Sequence, residues 1–247
     1  MMKKKIAFTG SAGFLGTSIY QAFEGDYELR LADVAEFNAG HEKMIGDVVD
    51  FDFCKRLVDG MDYLVIGHMY PRPYGVVPTR IFDVNVTGTA NLLYAAVQSG
   101  VKRVALISSV AACSEHDPAV DLNGLRPKGS EMYSTTKACQ EIIAEAIHEE
   151  FGLEIASIRI GYVVDCRSKV NKYGNVLKEF VSGMIDRGDV GIVTRKFIEI
   201  PGLKYEVRPA YSFSEPGHYP SGIATFQYLN WRSCFDTSTD RISAVTG

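Results

Sequence analysis

The sequence predicts an α/β fold built on a parallel, doubly wound sheet, and three observations support this prediction. Short apolar runs alternate with longer amphipathic segments between residues 5 and 160, the pattern of consecutive β-α-β units. The run Tyr63 to Ile66 is apolar throughout, as expected of a strand buried on both faces. Small or polar residues stand at the ends of five predicted strand units, namely Gly10, Asp33, Asp47, Gly67 and Ser109. The carboxyl ends of parallel strands share one edge, where ligands bind, so we expect a site there.

The first strand leads into a glycine-rich turn, Thr9-Gly10-Ser11-Ala12-Gly13-Phe14-Leu15-Gly16. Its first glycine permits the tight turn, the second lets the backbone approach a pyrophosphate, and the third lets the following helix pack on the strand. The N–H groups at the start of that helix then face the anion. The turn predicts a Rossmann-type dinucleotide site with cofactor contacts from Gly10, Ala12, Gly13, Phe14, Leu15 and Gly16.

An acidic residue follows the second predicted strand, Glu28 to Ala32. Asp33 lies about 20 residues beyond the glycines, where a carboxylate accepts hydrogen bonds from the adenosine ribose 2′-hydroxyl. A carboxylate there would repel a 2′-phosphate. The sequence therefore favours NAD over NADP as the cofactor.

The remaining elements of the predicted core follow in order. Further strands are predicted at Lys43 to Ile45, Tyr63 to Ile66, Arg103 to Ile107 and Glu154 to Ile160, and helices at Phe51 to Val58, Ile81 to Ser99 and about Tyr133 to Phe151. Gly100 and Gly152 follow the last two helices, as is typical of helix C-terminal caps. The Pro and Gly content predicts loops at Gly67 to Gly75 and at Ser114 to Ser130.

Beyond Ile160 the pattern changes. Apolar residues at helical spacing run from Val176 to Ile185, and a second helix capped by Asp189 is predicted through Ile198. A strand is predicted from Tyr205 to Phe213, and a last apolar stretch, Ile223 to Phe235, contains Trp231. We predict a single domain over residues 1–247, with a dinucleotide-binding core at 1–165 and a small C-terminal substrate lobe at 166–247 that does not fold independently.

The composition is that of a globular protein without a nucleic-acid or membrane partner. The chain has 247 residues, 46% hydrophobic and 23% charged, with a formal net charge of −4, which fits one domain and disfavours binding to nucleic acid or anionic membranes. It has no apolar run of about 18 residues and no signal-peptide h-region. The five Cys are scattered without metal-ligand spacing. We expect a cytoplasmic protein with reduced thiols and no metal.

A tyrosine and a lysine lie four residues apart in the segment Tyr133-Ser134-Thr135-Thr136-Lys137. At that spacing both side chains lie on one face of a helix. A neighbouring ammonium favours the phenolate form of a tyrosine, which can take a proton from a substrate hydroxyl while hydride leaves the carbon. Ser109, at the end of the preceding strand, can hold the substrate oxygen. Such a pair often arises by chance, but its position in a chain that opens with a dinucleotide loop favours a redox site.

Together these motifs resemble the extended short-chain dehydrogenases/reductases, the NAD-dependent epimerase/dehydratase family. The resemblance covers residues 1 to about 165 and rests on Thr9 to Gly16, Asp33, Asp47-Val48, Asp83 to Thr89, Ser108-Ser109, Tyr133 to Lys137 and Arg159-Ile160-Gly161. It implies that Asp47 and Val48 contact the adenine and that Gly67 borders the cofactor.

The same resemblance implies the catalytic roles. Tyr133 would be the acid/base. Lys137 would bind the nicotinamide ribose and lower the pKa of Tyr133, and Ser109 would polarise the substrate oxygen. It also implies a homodimer formed through the exposed faces of the two long helices.

The C-terminal part is similar in layout to the uronate dehydrogenases, which oxidise the anomeric carbon of a hexuronic acid to a lactone with NAD. This similarity rests on its length, on Ile185 to Val190 and on Tyr228 to Arg232. The chain departs from its relatives in two places. Gly67-His68-Met69 replaces the small residues usual after the fourth strand, and Asn171 or Lys172 stands where an arginine for the substrate carboxylate is expected.

The candidates for substrate contact are His68, Arg72, Ser109 and Arg167. His68 either lines the substrate pocket or is a packed loop residue, and Arg72 either pairs with an anionic substrate or is a solvated charge. Arg167 belongs to a basic segment with Lys169 and Lys172 that either contacts an anionic ligand or is solvated surface. We expect Asn85 to bind the backbone and fix the loop after the fourth strand.

The sequence thus predicts an NAD-dependent oxidoreductase that transfers hydride between a hydroxyl of a small carbohydrate, such as a sugar or uronic acid, and nicotinamide. One alternative is a nucleotide-sugar epimerase or dehydratase that retains NAD. The short C-terminal segment and the apolar Val110-Ala111-Ala112 disfavour it. A non-catalytic dinucleotide-sensing regulator is disfavoured by the intact Tyr133 and Lys137.

Overall fold

The computed structural model describes residues 3–70, 77–113, 124–178 and 183–212. The strands are β1 (Lys4–Thr9), β2 (Tyr27–Asp33), β3 (Glu42–Ile45), β4 (Tyr63–Ile66), β5 (Arg103–Ser109), β6 (Glu154–Ile160), β7 (Tyr162–Asp165), β8 (Val170–Asn171), β9 (Met184–Asp186) and β10 (Tyr205–Ala210). The helices are α1 (Gly16–Gln21), α2 (Phe51–Val58), α3 (Arg80–Phe82), α4 (Gly88–Gln98), α5 (Met132–Phe151) and α6 (Arg187–Glu199), with a π-helical turn at Asp83–Thr87 and a 3₁₀ turn at Val110–Ala112.

Seven strands form a parallel sheet in the order β10-β6-β5-β4-β1-β2-β3. Strand β1 pairs with both β2 and β4, so that Thr9 lies opposite Ala32 on one side and Ile66 on the other. The direction of strand succession reverses between β1 and β4, and the crevice at such a reversal is where ligands bind in this class of sheet. The structure confirms the predicted Rossmann-type, doubly wound parallel sheet.

Helices cover both faces of this sheet. Ile6 and Phe8 pack in the layer that contains α1 and α6, whereas Ala7 packs with α2, α4 and α5. This split follows from the alternation of side chains along a strand. All residues of the inner strand β5 are buried, which explains why the inner strands are almost continuously apolar.

Local sequence determines where several helices begin and end. The Asp50 carboxylate accepts a hydrogen bond from the Asp52 N–H and caps α2. Gly152 ends α5 with φ +71°, a conformation that costs glycine little. Helix α1, which follows the glycine-rich turn, is short and ends at Gln21.

The C-terminal part differs from the sequence prediction. Met184 and Ile185 lie in strand β9, which pairs in parallel with β7, and not in a helix. Short apolar runs of this kind do not distinguish a buried strand from a buried helix. Helix α6 begins at Arg187, and its cap is Asp186, which accepts from the Gly188 N–H at 2.8 Å, and not Asp189.

Helix α6 and strand β10 complete the layers of the main sheet. β10 lies parallel to β6, with Tyr205 opposite Ile155, and it ends at Ala210. These elements belong to the segment predicted as a substrate lobe, whereas β7, β8 and β9 form a separate small sheet. The division of the chain into core and lobe stays a prediction, and Phe213 and the stretch Ile223 to Phe235 with Trp231 lie outside the described residues.

Candidate active site

The glycine-rich turn packs against the end of β4. Gly10 has φ +79°, and an added Cβ would lie 2.7 Å from the carbonyl carbon of Gly67. An added Cβ on Gly16 would collide with the carbonyl oxygens of Ser11 and Gly10. At Gly13 it would meet, among the described residues, only the carbonyl oxygen of Gly10 at 3.3 Å. The loop therefore requires glycine at two positions and is open at the third, an arrangement that fits a pyrophosphate.

Asp33 is tied to this loop through both carboxylate oxygens. Its Oδ2 accepts from the Ala12 N–H at 2.9 Å, and its Oδ1 accepts from the Ala35 N–H at 3.0 Å. Each carboxylate oxygen has a second lone pair that can accept a ribose hydroxyl. The structure thus places Asp33 at the predicted edge, next to the predicted pyrophosphate loop.

Asp47 lies beyond the end of β3. Its Oδ1 accepts from the Val49 N–H at 3.0 Å, and its Oδ2 pairs with the guanidinium of Arg80. The side chain of Val48 is buried. Sequence reasoning missed Arg80, because nothing in the sequence shows that the start of α3 approaches the loop after β3. The adenine contacts of Asp47 and Val48 stay a prediction.

Helix α5 presents the tyrosine and the lysine of the predicted pair. Its first turn is fixed by a capping box between Glu131 and Ser134. Tyr133 is half-buried, and Lys137, one turn later, is 4% exposed. The Lys137 ammonium donates to the Ile107 carbonyl oxygen at 2.8 Å. The lysine therefore lies near the carboxyl end of β5, at the predicted edge.

The environment of Lys137 makes its proton easier to lose. Burial lowers the pKa of Lys137 from its usual 10.5 to about 8, against the raising effect of the Glu141 carboxylate. The charge of Lys172 lowers it further. A perturbed ionisable group at the edge of a crevice is typical of functional sites.

Ser109 ends β5 and is 9% exposed. Its Oγ accepts from the Ala111 N–H at 3.2 Å. That bond uses an oxygen lone pair, so the hydroxyl proton stays available for donation to a substrate oxygen. Ser108 instead donates to the Glu141 carboxylate in the α5 layer, as the alternation of side chains along a strand requires.

A buried ion pair holds α5 on the sheet. Arg159 of β6 donates from Nη2 to Glu141 Oε2 at 2.7 Å, and the two side chains are 1% and 0% exposed. Arg159 also donates to the Leu125 carbonyl oxygen at 2.9 Å. Arg159 was part of the sequence motif, whereas Glu141 was missed because it carries no distinctive local pattern. The pair fixes the helix one turn beyond Lys137.

The loop after β4 is held by contacts with β1 and with the π-helical turn at Asp83–Thr87. His68 is 8% exposed, with Nδ1 at 3.0 Å from Thr9 Oγ1 and Nε2 at 3.0 Å from the Val84 carbonyl oxygen. Asn85 accepts from the Tyr70 N–H at 2.8 Å, which confirms the prediction that it fixes this loop. Of the two interpretations of His68, the packed loop residue matches this geometry.

The other substrate candidates lie near β7 and β8 or cannot be placed. Arg167 is exposed, and its N–H donates to Asp165 Oδ1 at 2.9 Å. Asn171 Oδ1 accepts from the N–H groups of Tyr173 and Asn175 at 2.9 and 3.0 Å, so this side chain shapes a turn. Arg72 lies outside the described residues.

Within the described ranges, no group of three or more His, Cys, Asp and Glu side chains could hold a metal ion. None of the helices in the same ranges is both long enough and apolar enough to cross a bilayer.

Two curated proteins show what the sequence is similar to. A uronate dehydrogenase of Pseudomonas syringae pv. tomato is 31% identical over 166 residues, which cover 64% of this chain and 58% of that protein. An N-acetyl-alpha-D-glucosaminyl-diphospho-ditrans,octacis-undecaprenol 4-epimerase of Escherichia coli is 29% identical over 189 residues, 74% of this chain and 55% of that protein. The matches thus span less than two thirds of either relative.

A solved structure and a family model complete the comparison. The uronate dehydrogenase from Agrobacterium tumefaciens, solved as a mutant complexed with NAD, superposes with a TM-score of 0.78 at 22% identity, covering 100% of this chain and 91% of that one. At that identity the likeness concerns the fold. The model of the NAD dependent epimerase/dehydratase family matches residues 6–195, and the chain belongs to this family, as the sequence predicted.

Proposed function

We propose that this protein is an NAD-dependent oxidoreductase that transfers hydride between a hydroxyl of a sugar or uronic acid and nicotinamide. The observation that carries the proposal is the buried ammonium of Lys137, which donates to the Ile107 carbonyl two residues before Ser109. A buried cation at this edge, one helical turn from Tyr133, is what an acid/base tyrosine requires.

The crevice suits NAD. The open side of the Gly13 turn leaves space for a pyrophosphate, and Asp33 offers acceptors for the ribose hydroxyls beside it. Asp47, Val48 and Gly67 would border the rest of the adenosine and the path to the nicotinamide. Bound there, NAD would supply the hydride acceptor. The carboxylate of Asp33 would repel a 2′-phosphate, which favours NAD over NADP.

The side chains of α5 and β5 would orient the substrate and accept its proton. Ser109 would donate a hydrogen bond from its hydroxyl to the substrate oxygen and orient it. Tyr133 would take the proton of the reacting hydroxyl, and the Lys137 ammonium would favour the phenolate that accepts it. In the reverse direction the same groups would return the proton to the carbonyl oxygen.

An anionic sugar is favoured by the charges around the site. Lys172 is near enough for its charge to lower the pKa of Lys137, and Arg167 and Lys169 lie in the same turn region after β7. We propose that this segment, with Arg72, contacts the substrate carboxylate, since Asn171 is committed to its turn. The uronate dehydrogenases among the relatives support this choice.

The test is a panel of uronates, aldoses and polyols with NAD, followed by NADH absorbance. Tyr133→Phe should lower turnover by about 10²-fold to 10⁴-fold while NADH binding persists, because only the proton acceptor is removed. Tyr63→Phe, at the start of β4 and therefore at the edge of the sheet opposite the site, is the matched control. Unchanged turnover in Tyr133→Phe would contradict the proposal.

An epimerase that retains NAD is the second candidate, favoured by the similarity to the 4-epimerase. It would interconvert two sugars without net NADH. Proton NMR of the same panel distinguishes the two, since new sugar signals without NADH absorbance would support the epimerase.

We further propose that the protein is a cytoplasmic homodimer. Tyr94, Ile142 and Phe151 are exposed on α4 and α5, and the Tyr94 and Phe151 rings meet edge to face at 5.8 Å. A shallow hollow on the same face is lined by Phe51, Ala90, Asn91, Tyr94, Ile143 and Ile147. Light scattering should give twice the chain mass for the wild type and a monomer for Ile142→Lys. A monomeric wild type would contradict the dimer.

A further inference from the structure

The ring of His68 joins the cofactor loop to the helical segment at Asp83–Thr87. Its Nδ1 accepts from the hydroxyl of Thr9, the residue before Gly10, and its Nε2 donates to the carbonyl of Val84. A carbonyl oxygen only accepts, so Nε2 carries a hydrogen, and in the neutral ring Nδ1 is then the acceptor for the Thr9 hydroxyl. Both ring nitrogens are therefore engaged within the protein.

The backbone is distorted where His68 meets it. Asp83–Thr87 forms a π-helical turn, and the Gly88 N–H bonds to the Asp83 carbonyl five residues earlier. Turns of this kind are rare within helices. Those that do occur are often found at functional sites. Gly88 gives the Val48 side chain room, because an added Cβ would lie 2.4 Å from a Val48 methyl carbon, and it would be in ordinary contact with His68 Nε2 at 3.4 Å.

From this turn the hydrogen bonds continue to α5. Asn85, which is fully buried, donates to Thr136 Oγ1 at 2.9 Å, and Thr136 donates to the Tyr133 carbonyl oxygen at 2.8 Å. Thr136 immediately precedes Lys137. The side chains of Thr9, His68, Asn85 and Thr136, linked by the π turn, thus form one path from the glycine-rich loop to the first turn of the catalytic helix.

We propose that His68 is a positioning residue that fixes Tyr133 and Lys137 relative to the glycine-rich loop, through the π turn and Asn85. This proposal rests on the function proposed above, because it concerns the same site. His68 exchanges no proton with the substrate. Burial, together with the charge of Lys137, lowers the pKa of His68 to about 4 against the opposing effects of the Val84 carbonyl and Asp47, so the ring stays neutral near pH 7.

Two variants of His68 separate positioning from proton transfer. His68→Leu removes both ring hydrogen bonds and should lower kcat about 10-fold or more while the Kd for NADH changes less than about 3-fold. His68→Gln keeps an amide that can donate to Val84, and it should restore most of kcat. The pH profile of kcat should keep its shape in His68→Gln.

A double-variant cycle tests the path. Thr136→Val should lower kcat by a similar factor, and combining it with His68→Leu should cost little more than either change alone, because both act through one chain of contacts. If the double variant instead lost kcat by the product of the two single factors, the proposal would be overturned. If His68→Leu does not fold, Thr9→Val replaces it in the cycle, because this variant removes the hydrogen-bond partner of His68 Nδ1.

The control is His148→Gln, at the far end of α5, where Nδ1 lies 2.8 Å from the Leu153 carbonyl oxygen. It should leave kcat unchanged. Wild-type kcat in His68→Leu would overturn the proposal, as would a His68→Gln variant that is equally impaired and loses a limb of the pH profile.

Hydrogen exchange of the amides at residues 132–137 gives a readout without turnover. Exchange should accelerate in His68→Leu and not in His148→Gln, and equal exchange in both would contradict the coupling. If the wild type turned over no sugar, the proposed function would be contradicted. The positioning role of His68 would still be tested, because amide exchange measures the coupling without turnover.

Discussion

Two cations are buried close together in this protein, and they are treated in opposite ways. Arg159 is bound by a carboxylate, with Nε and Nη2 at 3.0 and 2.7 Å from Glu141 oxygens. Burial alone would lower the pKa of Arg159, but the hydrogen bonds to Glu141 outweigh it and the pKa is raised. Lys137 lies on α5 one turn before Glu141. Its ammonium donates to a neutral carbonyl, and burial lowers the pKa of Lys137 to about 8.

This difference separates a charge that holds the fold from a charge at the reacting edge. A buried ion pair with good geometry secures the helix, and removing one partner leaves the other uncompensated. A buried ammonium without a direct carboxylate contact costs free energy in the folded protein, and such costs concentrate at functional sites. The comparison therefore predicts that removing the charge of Glu141 lowers the free energy of unfolding, whereas removing the charge of Lys137 raises it.

The largest effect is expected from Glu141→Gln. It leaves Arg159 buried without its counter-charge and should lower the free energy of unfolding by about 3 to 5 kcal/mol, measured by urea denaturation. Glu145→Gln, which removes an exposed ion pair with Arg126, is the control and should change little. Equal urea midpoints for the two variants would show that the ion pair with Glu141 does not offset the cost of burying Arg159.

Lys137→Met should act in the other direction. The pKa of Lys137 is about 8 in the folded state, below its usual 10.5, so the unfolded chain binds more protons between these values. The unfolding free energy of the wild type therefore rises with pH through that window, and below pH 8 the variant should be more stable by up to about 3 kcal/mol. Urea midpoints at pH 7 and pH 10 measure this, and parallel curves for the two proteins would refute it.

The sequence was sufficient to predict where the candidate site residues that depend on local pattern lie in the fold. Gly10, Asp33, Ser109, Tyr133 and Lys137 follow or lie within recognisable strand and helix patterns, and the topology brings strand ends to one edge. Their neighbours could not be predicted in the same way. Glu141 meets Arg159, and Arg80 meets Asp47, only because distant elements pack side by side.

The errors in the predicted fold have a similar origin. Met184 and Ile185 share their apolar character with a helix stripe, and only pairing with β7 makes them a strand. The π turn at Asp83–Thr87 has no sequence signature, yet it directs Val84 and Asn85 to their partners. Long-range contacts decide such features, whereas helix and strand periodicity determines the remaining elements.

His68 extends the comparison to a buried base that is neutral. The pKa of His68 is lowered to about 4, from 6.5, mainly by burial. The unfolded chain binds more protons between these values, so the stability that is complete above pH 6.5 is lost as the pH falls towards 4. We expect the wild type to lose about 2 kcal/mol between pH 7 and pH 5 from this group. His68→Gln should lack this component in urea titrations, whereas His41→Gln, at a partly exposed pair with Glu24, should retain it.

The smallest effect is expected at Asp33, a partly exposed carboxylate whose partners are backbone N–H groups and not a cation. Asp33→Asn keeps an oxygen that can accept from Ala12 but loses the negative charge, so the fold should be little changed. The repulsion of a 2′-phosphate should weaken with it, and the ratio of kcat/KM for NAD over NADP should fall about 10-fold, close to 1.4 kcal/mol of discrimination. Glu36→Gln, an exposed neighbour paired with Lys43, is the control. An unchanged ratio in Asp33→Asn would show that cofactor choice depends on shape and not on this charge.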